Sequence, residues 1–180
     1  MRQTELLISL TNLKNNLQII KSKTSSDIQA VIKANAYGLG YEEVVETIES
    51  DVESFAVITI DEAIGLRKHT KKPIVLLQGV HEVADYEQVE KFNLDFVIHA
   101  DWQVKNLSNF YLDESRIWLK LNTGMNRLGF NADDFEIYFD KLSSFRAKDL
   151  IIMSHLAASS EPTNKLNNSQ IKLFNEITAG

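Results

Sequence analysis

The sequence contains no cysteine, only two prolines and only seven glycines among its 180 residues. The absence of cysteine excludes disulfide bonds, thiolate metal ligands and a cysteine nucleophile. The scarcity of proline and glycine excludes collagen-like and low-complexity segments. No apolar stretch approaches the roughly 20 residues that a membrane-spanning helix needs. The first five residues, Met-Arg-Gln-Thr-Glu, do not begin a signal-peptide pattern either, so no membrane partner is expected and a cytoplasmic location is the default expectation.

The sequence also has fewer basic than acidic residues. The chain has 19 Lys and Arg against 25 Asp and Glu, for a formal net charge of -6. A surface that binds nucleic acid or anionic lipid needs clustered basic residues, so neither partner is predicted. This balance favours a small molecule or another protein as the partner. The four histidines have no spacing typical of zinc ligands, so no metal site is predicted.

What the sequence does have is a regular alternation of short apolar runs and amphipathic segments. With 44% hydrophobic and 24% charged residues, it has the balance of an ordinary globular domain. An apolar run at 6–10 is a candidate strand, and the helix after it has Thr11 or Asn12 available as its N-cap. The predicted strands are 28–33, 55–58, 73–77, 94–99, 117–121 and 150–153. The predicted helices are 11–23, 41–50, 61–68, 82–91, 101–110, 133–145 and 164–177.

From residue 28 the pattern forms six strand–helix units. Strict alternation predicts a parallel sheet covered by helices, and therefore an α/β fold. An open doubly wound sheet and a (β/α)8 barrel both satisfy the pattern. Six units do not close an eight-strand barrel, so the barrel requires residues 1–180 to be a truncated domain. Asp61 is the predicted cap of the helix at 61–68, and Leu166, Ile171 and Phe174 are expected to face inward from the last helix.

Polar residues follow several of these strands, at the edge of a parallel sheet where ligands bind. Lys33 and Tyr37 follow the strand at 28–33, Arg127 lies in the loop after 117–121, and His155 follows 150–153. The topology predicts that Lys33, Arg127 and His155 converge. Each also has a structural interpretation. The position of Lys33, taken alone, favours a side chain whose charge is solvated, and Tyr37 could simply cover the core. His155 could be a hydrogen-bonded structural residue, and Arg127 could cap carbonyl groups. Lys120, inside a strand, is expected to be ion-paired or to face outward.

Two long segments resemble the signatures of one family. Residues 30–40, Ala-Val-Ile-Lys-Ala-Asn-Ala-Tyr-Gly-Leu-Gly, closely resemble the pyridoxal-phosphate attachment motif of alanine racemases. Residues 120–130, Lys-Leu-Asn-Thr-Gly-Met-Asn-Arg-Leu-Gly-Phe, resemble the second signature of that family, although Asn122 stands where Asp is usual. Weaker similarities run from 8 to 17, from 61 to 67 and from 154 to 157.

The resemblance implies a (β/α)8 barrel followed by a β-rich C-terminal domain that is absent from this chain. It implies pyridoxal 5'-phosphate as the cofactor, with Lys33 forming the internal aldimine. Tyr37 would lie near the cofactor phosphate, and Arg127 near its phenolate oxygen and the substrate carboxylate. His155 would pack against the pyridine ring, and Lys120 would match a lysine that is carbamylated in many members.

The implied reaction is the interconversion of L- and D-alanine, which supplies D-alanine for peptidoglycan. Lys33 would serve one face of the substrate, and in the family a tyrosine from the C-terminal domain of the partner subunit serves the other. The resemblance therefore implies a homodimer for the full-length protein and an inactive fragment here. Two alternatives stay open: a non-catalytic single-domain barrel that binds pyridoxal phosphate, and a related amino-acid decarboxylase.

Overall fold

The computed structural model describes residues 4–179. Within them, six strands alternate with helices, and the chain forms two compact units, Met1–Val75 and Leu76–Gly180. The strands are β1 (Gln29–Val31), β2 (Ser54–Val57), β3 (Ile74–Leu76), β4 (Asp95–Ile98), β5 (Arg116–Lys120) and β6 (Asp149–Met153). The helices are α1 (Leu10–Lys21), α2 (Lys33–Tyr37), α3 (Tyr41–Ile48), α4 (Ile60–Arg67), α5 (Asp85–Phe92), α6 (Asp101–Asn106), α7 (Ala132–Ser143) and α8 (Lys165–Thr178). Single 3-10 turns, Glu49–Asp51 and Leu107–Asn109, extend α3 and α6.

In the first unit, β1 and β2 pair in parallel, with Gln29 opposite Ser54 and Val31 opposite Ala56. All four residues of β2 are buried, as expected for a strand of a parallel sheet whose two faces are both enclosed. The pairing continues one residue beyond β1, where the Ile32 amide donates to the Ala56 carbonyl at 2.9 Å. The chain therefore stays attached to the sheet up to the residue before Lys33.

In the second unit, β5 pairs in parallel with both β4 and β6, with Ile98 opposite Leu119 and Lys120 opposite Met153. Because parallel strands end at the same edge, the loops that follow β5 and β6 emerge side by side. This arrangement confirms the predicted parallel α/β organisation within the unit. It also places the loop that carries Arg127 next to the segment that begins at Ser154.

The expected strand at 6–10 is wrong. Residues 4–9 have no regular structure, and the side chains of Leu6 and Leu7 are 69% and 86% exposed. The physical reason is a helix start, because the Ser9 hydroxyl accepts the Asn12 amide and caps α1 from Leu10 onward. Ser9, and not Thr11 or Asn12, is therefore the N-cap of α1.

The predicted cap of α4 also needs correction. Thr59, and not Asp61, caps this helix by accepting the Glu62 amide at 3.3 Å. Glu62 in return accepts the Thr59 amide at 3.2 Å, which completes a capping box. The helix consequently begins at Ile60, one residue before the predicted start.

The buried face of α8 is polar, which contradicts the expectation that Leu166 and Ile171 face inward. These two side chains are 38% and 46% exposed, whereas Asn167 and Gln170 are 7% and 1% exposed. The Asn167 amide donates to two carbonyl groups of the loop after β6, at 3.0 and 2.9 Å. Hydrogen bonds to that loop therefore determine which face of α8 is buried.

Candidate active site

Lys33 follows β1 immediately after buried Ile32 and is itself half-buried. Its ammonium nitrogen lies 5.9 Å from the centre of the Tyr37 ring, and the Tyr37 side chain is 63% exposed. A lysine that is neither fully solvated nor enclosed keeps its amine accessible to a ligand. The structure thus brings Lys33 and Tyr37 together at the end of β1.

The segment that joins Lys33 to Tyr37 has an unusual backbone. Ala34, Asn35, Ala36 and Tyr37 all have left-handed φ values, between 51° and 57°. Only glycine, and occasionally asparagine, adopts this region readily, and each other residue costs about 1–2 kcal/mol there. Gly38 follows with φ of 86°, and its amide donates to the Ala34 carbonyl at 2.9 Å. α2 is therefore a strained left-handed turn directly after Lys33.

Side chains hold this turn at two points. The Asn35 side-chain oxygen accepts the Tyr41 amide at 2.9 Å, at the start of α3. One Glu62 carboxylate oxygen accepts the Ala34 amide at 2.6 Å, and the other accepts the Ile58 amide at 2.9 Å. Strain of this kind persists only where surrounding contacts determine the conformation, and such places are often functional sites.

Lys120 is the last residue of β5 and is only 5% exposed, so the expected outward or ion-paired lysine is wrong. It is enclosed because β5 has strand neighbours on both sides. No carboxylate in residues 4–179 lies within salt-bridge distance of its ammonium group. Burial lowers the pKa of Lys120, and the charge of Arg127 lowers it further. The neutral form of the Lys120 amine is therefore populated at a lower pH than in an ordinary lysine.

Arg127 lies on a loop that closes back on β5. The Asn122 amide donates to the Phe130 carbonyl at 2.8 Å, and the Phe130 amide donates to the Lys120 carbonyl at 2.9 Å. Gly129, with φ of 117°, permits this closure, because a Cβ there would lie 2.9 Å from the Lys120 carbonyl oxygen. The loop is short and closed, so it presents the exposed Arg127 side chain from a fixed base.

Asn122, which departs from the family's usual Asp, has a complete set of partners. Its oxygen accepts the amides of Gly124 and Asn126 at 3.2 and 3.0 Å. Its NH2 group donates to the side-chain oxygens of Asn126 and Asn131, both at 3.0 Å. The side chain of Asn122 therefore links the loop after β5 to the start of α7 through both its oxygen and its NH2 group.

His155 lines one cleft together with Lys120 and Arg127. The predicted convergence is therefore confirmed for Arg127 and His155, which both belong to the second unit. The convergence of Lys33 with them stays a prediction. The ends of β5 and β6 therefore bring together the Arg127 charge, a buried lysine whose pKa is lowered, and an exposed histidine.

Sequence reasoning missed Gln170, a buried residue of α8. Its NH2 group donates to the Thr123 hydroxyl and to the His155 carbonyl, both at 3.0 Å. Its side-chain oxygen accepts the Ala157 amide at 2.9 Å. Gln170 therefore ties the loop after β5 to the loop after β6. A polar residue on the expected inner face of a helix was the signal available in the sequence.

His99, at the end of β4, is a second residue that sequence reasoning did not place at the site. Its Nε2 lies 2.9 Å from the Gln78 carbonyl oxygen. Burial lowers the pKa of His99, the Gln78 bond opposes that shift, and the charge of Lys120 adds to the lowering. The lowered pKa favours the neutral form of His99, which lies close enough to Lys120 to be affected by its charge. Within residues 4–179 no three His, Asp or Glu side chains are grouped to hold a metal, and no helix is long and apolar enough to cross a membrane.

Comparison with known proteins identifies the family. The family described as "Alanine racemase, N-terminal domain" matches residues 8–180. The alanine racemase of Neisseria meningitidis serogroup A is 35% identical across 100% of this chain, which covers 52% of that protein. The alanine racemase of Xylella fastidiosa strain Temecula1 is 35% identical across 99% of the chain, which covers 50% of it. The chain thus spans about half the length of these curated relatives.

Solved structures agree on the fold. The biosynthetic alanine racemase from Pseudomonas aeruginosa superposes with a TM-score of 0.87 at 32% identity, over 93% of this chain and 48% of that one. The alanine racemase from Acinetobacter baumannii gives 0.87 at 26% identity, over 96% and 52%. These similarities confirm the predicted barrel class, with about six of its strand–helix units present, and exclude the open doubly wound sheet. The chain belongs to the alanine racemase family and corresponds to its N-terminal domain.

Proposed function

We propose that the protein carrying this chain interconverts L- and D-alanine with pyridoxal 5'-phosphate as cofactor. The observation that carries the proposal is Lys33, held on a strained turn at the end of β1, within a chain whose relatives are named alanine racemase. D-alanine for peptidoglycan is the proposed use of the product. The proposed setting is a cytoplasmic homodimer, with residues 1–180 as the cofactor-binding part of a barrel and a β-rich domain beyond it.

The chemistry of the side chains supports this cofactor. Pyridoxal phosphate needs an amine for its aldehyde and cationic or hydroxyl donors for its phenolate and phosphate oxygens. Lys33 offers a half-buried amine beside the exposed phenol of Tyr37. Arg127 lies beside Lys120 and His155 and offers positive charge. When bound, the cofactor supplies an electron sink for the electron pair left by the departing α-proton of the amino acid.

The roles proposed for the chain's own residues follow. Lys33 binds the cofactor and moves a proton to and from one face of the substrate α-carbon. Arg127 donates to the cofactor phenolate oxygen and binds the substrate carboxylate, Tyr37 contacts the cofactor phosphate, and His155 packs against the cofactor ring. Racemisation needs a second base on the opposite face. We assign none to residues 1–180, and we expect this fragment alone to be inactive.

Lys120 is the proposed carbamylation site. Carbon dioxide reacts with the neutral form of an amine, and both burial and the Arg127 charge lower the pKa of Lys120 toward that form. The carbamate converts a cation into an anion, so the repulsion between Lys120 and Arg127 becomes an attraction. That change would hold the guanidinium group of Arg127 in one orientation.

The test is racemisation by the full-length protein, measured as D-alanine formed from L-alanine. Lys33→Ala should abolish it, because the variant has no amine for the cofactor or the α-proton. Lys23→Ala, which removes an exposed lysine of the same unit, is the matched control and should leave the rate unchanged. Racemisation retained by Lys33→Ala contradicts the proposal. Release of carbon dioxide instead of D-alanine would favour a decarboxylase, and cofactor binding without turnover would favour the non-catalytic barrel.

A further inference from the structure

We propose that Glu62 is a positioning residue for Lys33, because its carboxylate clamps the left-handed turn on which the lysine is mounted. The inference rests on the proposed function in one respect only: Lys33 is taken to be the lysine that binds the cofactor. The clamp itself is a feature of the first unit. It is testable by measurements that need neither cofactor nor substrate.

The geometry carries the proposal. Glu62 is half-buried at the start of α4, and one of its carboxylate oxygens accepts the Ala34 amide at 2.6 Å. The Ala34 N–H belongs to the peptide group that joins Lys33 to Ala34, so this hydrogen bond acts on the peptide directly attached to the Lys33 Cα atom. The bond is short because the acceptor is charged. It therefore fixes the first peptide of the turn at the point where the chain leaves the sheet.

The backbone strain of the turn explains why the turn needs a side-chain contact to keep its conformation. Four consecutive residues without a glycine have left-handed φ values, and α-helical or extended backbone is the preferred state of each. Released from its side-chain contacts, such a segment relaxes toward those states and carries Lys33 with it. Proton transfer between an amine and a reacting carbon needs close alignment, and a displacement of about 1 Å can lower its rate by about a hundredfold. Glu62 thus supplies orientation, and it does not need to touch the cofactor.

Helix capping does not account for this contact. The capping box of α4 uses the other Glu62 oxygen, which accepts the amides of Ile58 and Thr59 at 2.9 and 3.2 Å. The oxygen that faces Ala34 contributes nothing to that cap. Both oxygens are engaged at once, which only a carboxylate allows, because glutamine has a single acceptor oxygen. The single acceptor oxygen of Glu62→Gln is expected at the helix start, where it serves two amides, so the Ala34 bond is the one that this variant loses.

Two neighbouring residues provide matched controls. Asp61→Asn removes the same charge from the same helical turn, but Asp61 is exposed and forms no clamp. Thr59→Ala removes the other half of the capping box, the hydroxyl that accepts the Glu62 amide, and leaves the Ala34 contact in place. The first control isolates the effect of charge near the helix start. The second isolates the stability that the cap contributes.

The decisive measurement is amide hydrogen exchange at residue 34 in the full-length protein without cofactor. The Ala34 amide belongs to an exposed residue and has Glu62 as its acceptor, so it should be protected in the wild type. Glu62→Gln should accelerate its exchange by about tenfold or more, and Asp61→Asn should leave it unchanged. If the Ala34 amide of the wild type exchanges as fast as in an unfolded chain, the proposal is overturned. This result needs no variant, so it can be obtained even if Glu62→Gln does not fold. Exchange at the wild-type rate in a folded Glu62→Gln also overturns it.

Kinetics distinguish positioning from general stability. With L-alanine as substrate, Glu62→Gln should lower kcat by about tenfold or more while KM stays within about threefold, because the misaligned lysine affects proton transfer rather than binding. Thr59→Ala should lower the unfolding temperature at least as much as Glu62→Gln does, and it should leave kcat unchanged. Equal losses of kcat in the two variants would overturn the positioning role. An inactive wild type would count against the proposed function, and the exchange result at Ala34 would still decide the clamp.

Discussion

Gln170 gives the second unit its sharpest quantitative prediction. Its side chain is 1% exposed and makes three hydrogen bonds, to the Thr123 hydroxyl, the His155 carbonyl and the Ala157 amide. Gln170→Met keeps the length and flexibility of the side chain and removes every donor and acceptor that these bonds use. The variant therefore tests the link between the loops after β5 and β6 with little change in packing volume.

The expected cost follows from the surroundings of each bond. A hydrogen bond contributes about 1 kcal/mol net, and a polar group left buried without a partner costs about 1–3 kcal/mol. His155 and Ala157 are exposed, so water replaces glutamine there, and the Thr123 hydroxyl keeps its 2.7 Å contact with the Ser154 hydroxyl. We therefore expect Gln170→Met to destabilise the loop connection by about 1–3 kcal/mol, and not by the sum of three buried defects.

Hydrogen exchange measures this cost at the loop itself. The Ala157 amide loses its acceptor, so its exchange should accelerate by about 5- to 150-fold, which corresponds to the expected range of free energy. Ser169→Ala is the control, since it removes a hydroxyl of an exposed residue on the same helix, which donates to the Lys165 carbonyl at 3.2 Å. Exchange of Ala157 within twofold of the wild type in Gln170→Met would refute the assigned role of Gln170.

Two further predictions concern stability. Gly79→Ala should lower the free energy of unfolding by more than about 2 kcal/mol in urea denaturation, because φ is 66° and the new Cβ would lie 2.0 Å from the Val97 carbonyl oxygen. Gly38→Ala, with φ of 86° but no atom within 4 Å of the new Cβ, should lose less, and equal losses would contradict the steric argument. Burial lowers the pKa of His99, so its stabilising contribution is present above the unfolded-state pKa of about 6.5 and is lost as pH falls through the folded pKa. His99→Gln should therefore flatten the fall in stability below about pH 6.5, and an unchanged slope would show that His99 does not contribute to it.

The sequence predicts the architecture well because the fold has a strong periodic signal. Each of the six strands predicted from residue 28 onward corresponds to an observed strand, with bounds that differ by at most two residues. Six of the seven predicted helix starts lie within one residue of an observed start, and the exception is a start that a side-chain hydrogen bond determines. The helix predicted from residue 82 begins at Asp85, since the Asp85 carboxylate accepts the amides of His81 and Glu82 and forms a separate turn before it.

The candidate site, like the fold, can be predicted from the sequence only in part. The rule that parallel strands end at one edge places Arg127 beside His155 without any contact information. The left-handed turn at 34–37 was not predicted, because alanine and tyrosine normally avoid that backbone region. Glu62 and Gln170 were missed for a different reason. Their importance comes from hydrogen bonds to residues 28 and 47 positions away, and such bonds leave no periodic pattern in the sequence.

The most direct test of the account is to identify which lysine binds the cofactor. The full-length protein is mixed with pyridoxal phosphate and treated with borohydride, which fixes the pyridoxyl group onto the lysine nitrogen that carries it, and the labelled peptide is sequenced by mass spectrometry. We expect the label on Lys33, and we expect the Glu62→Gln variant to be labelled at the same residue. A label on Lys120 or on another lysine, or no specific label at all, would contradict it.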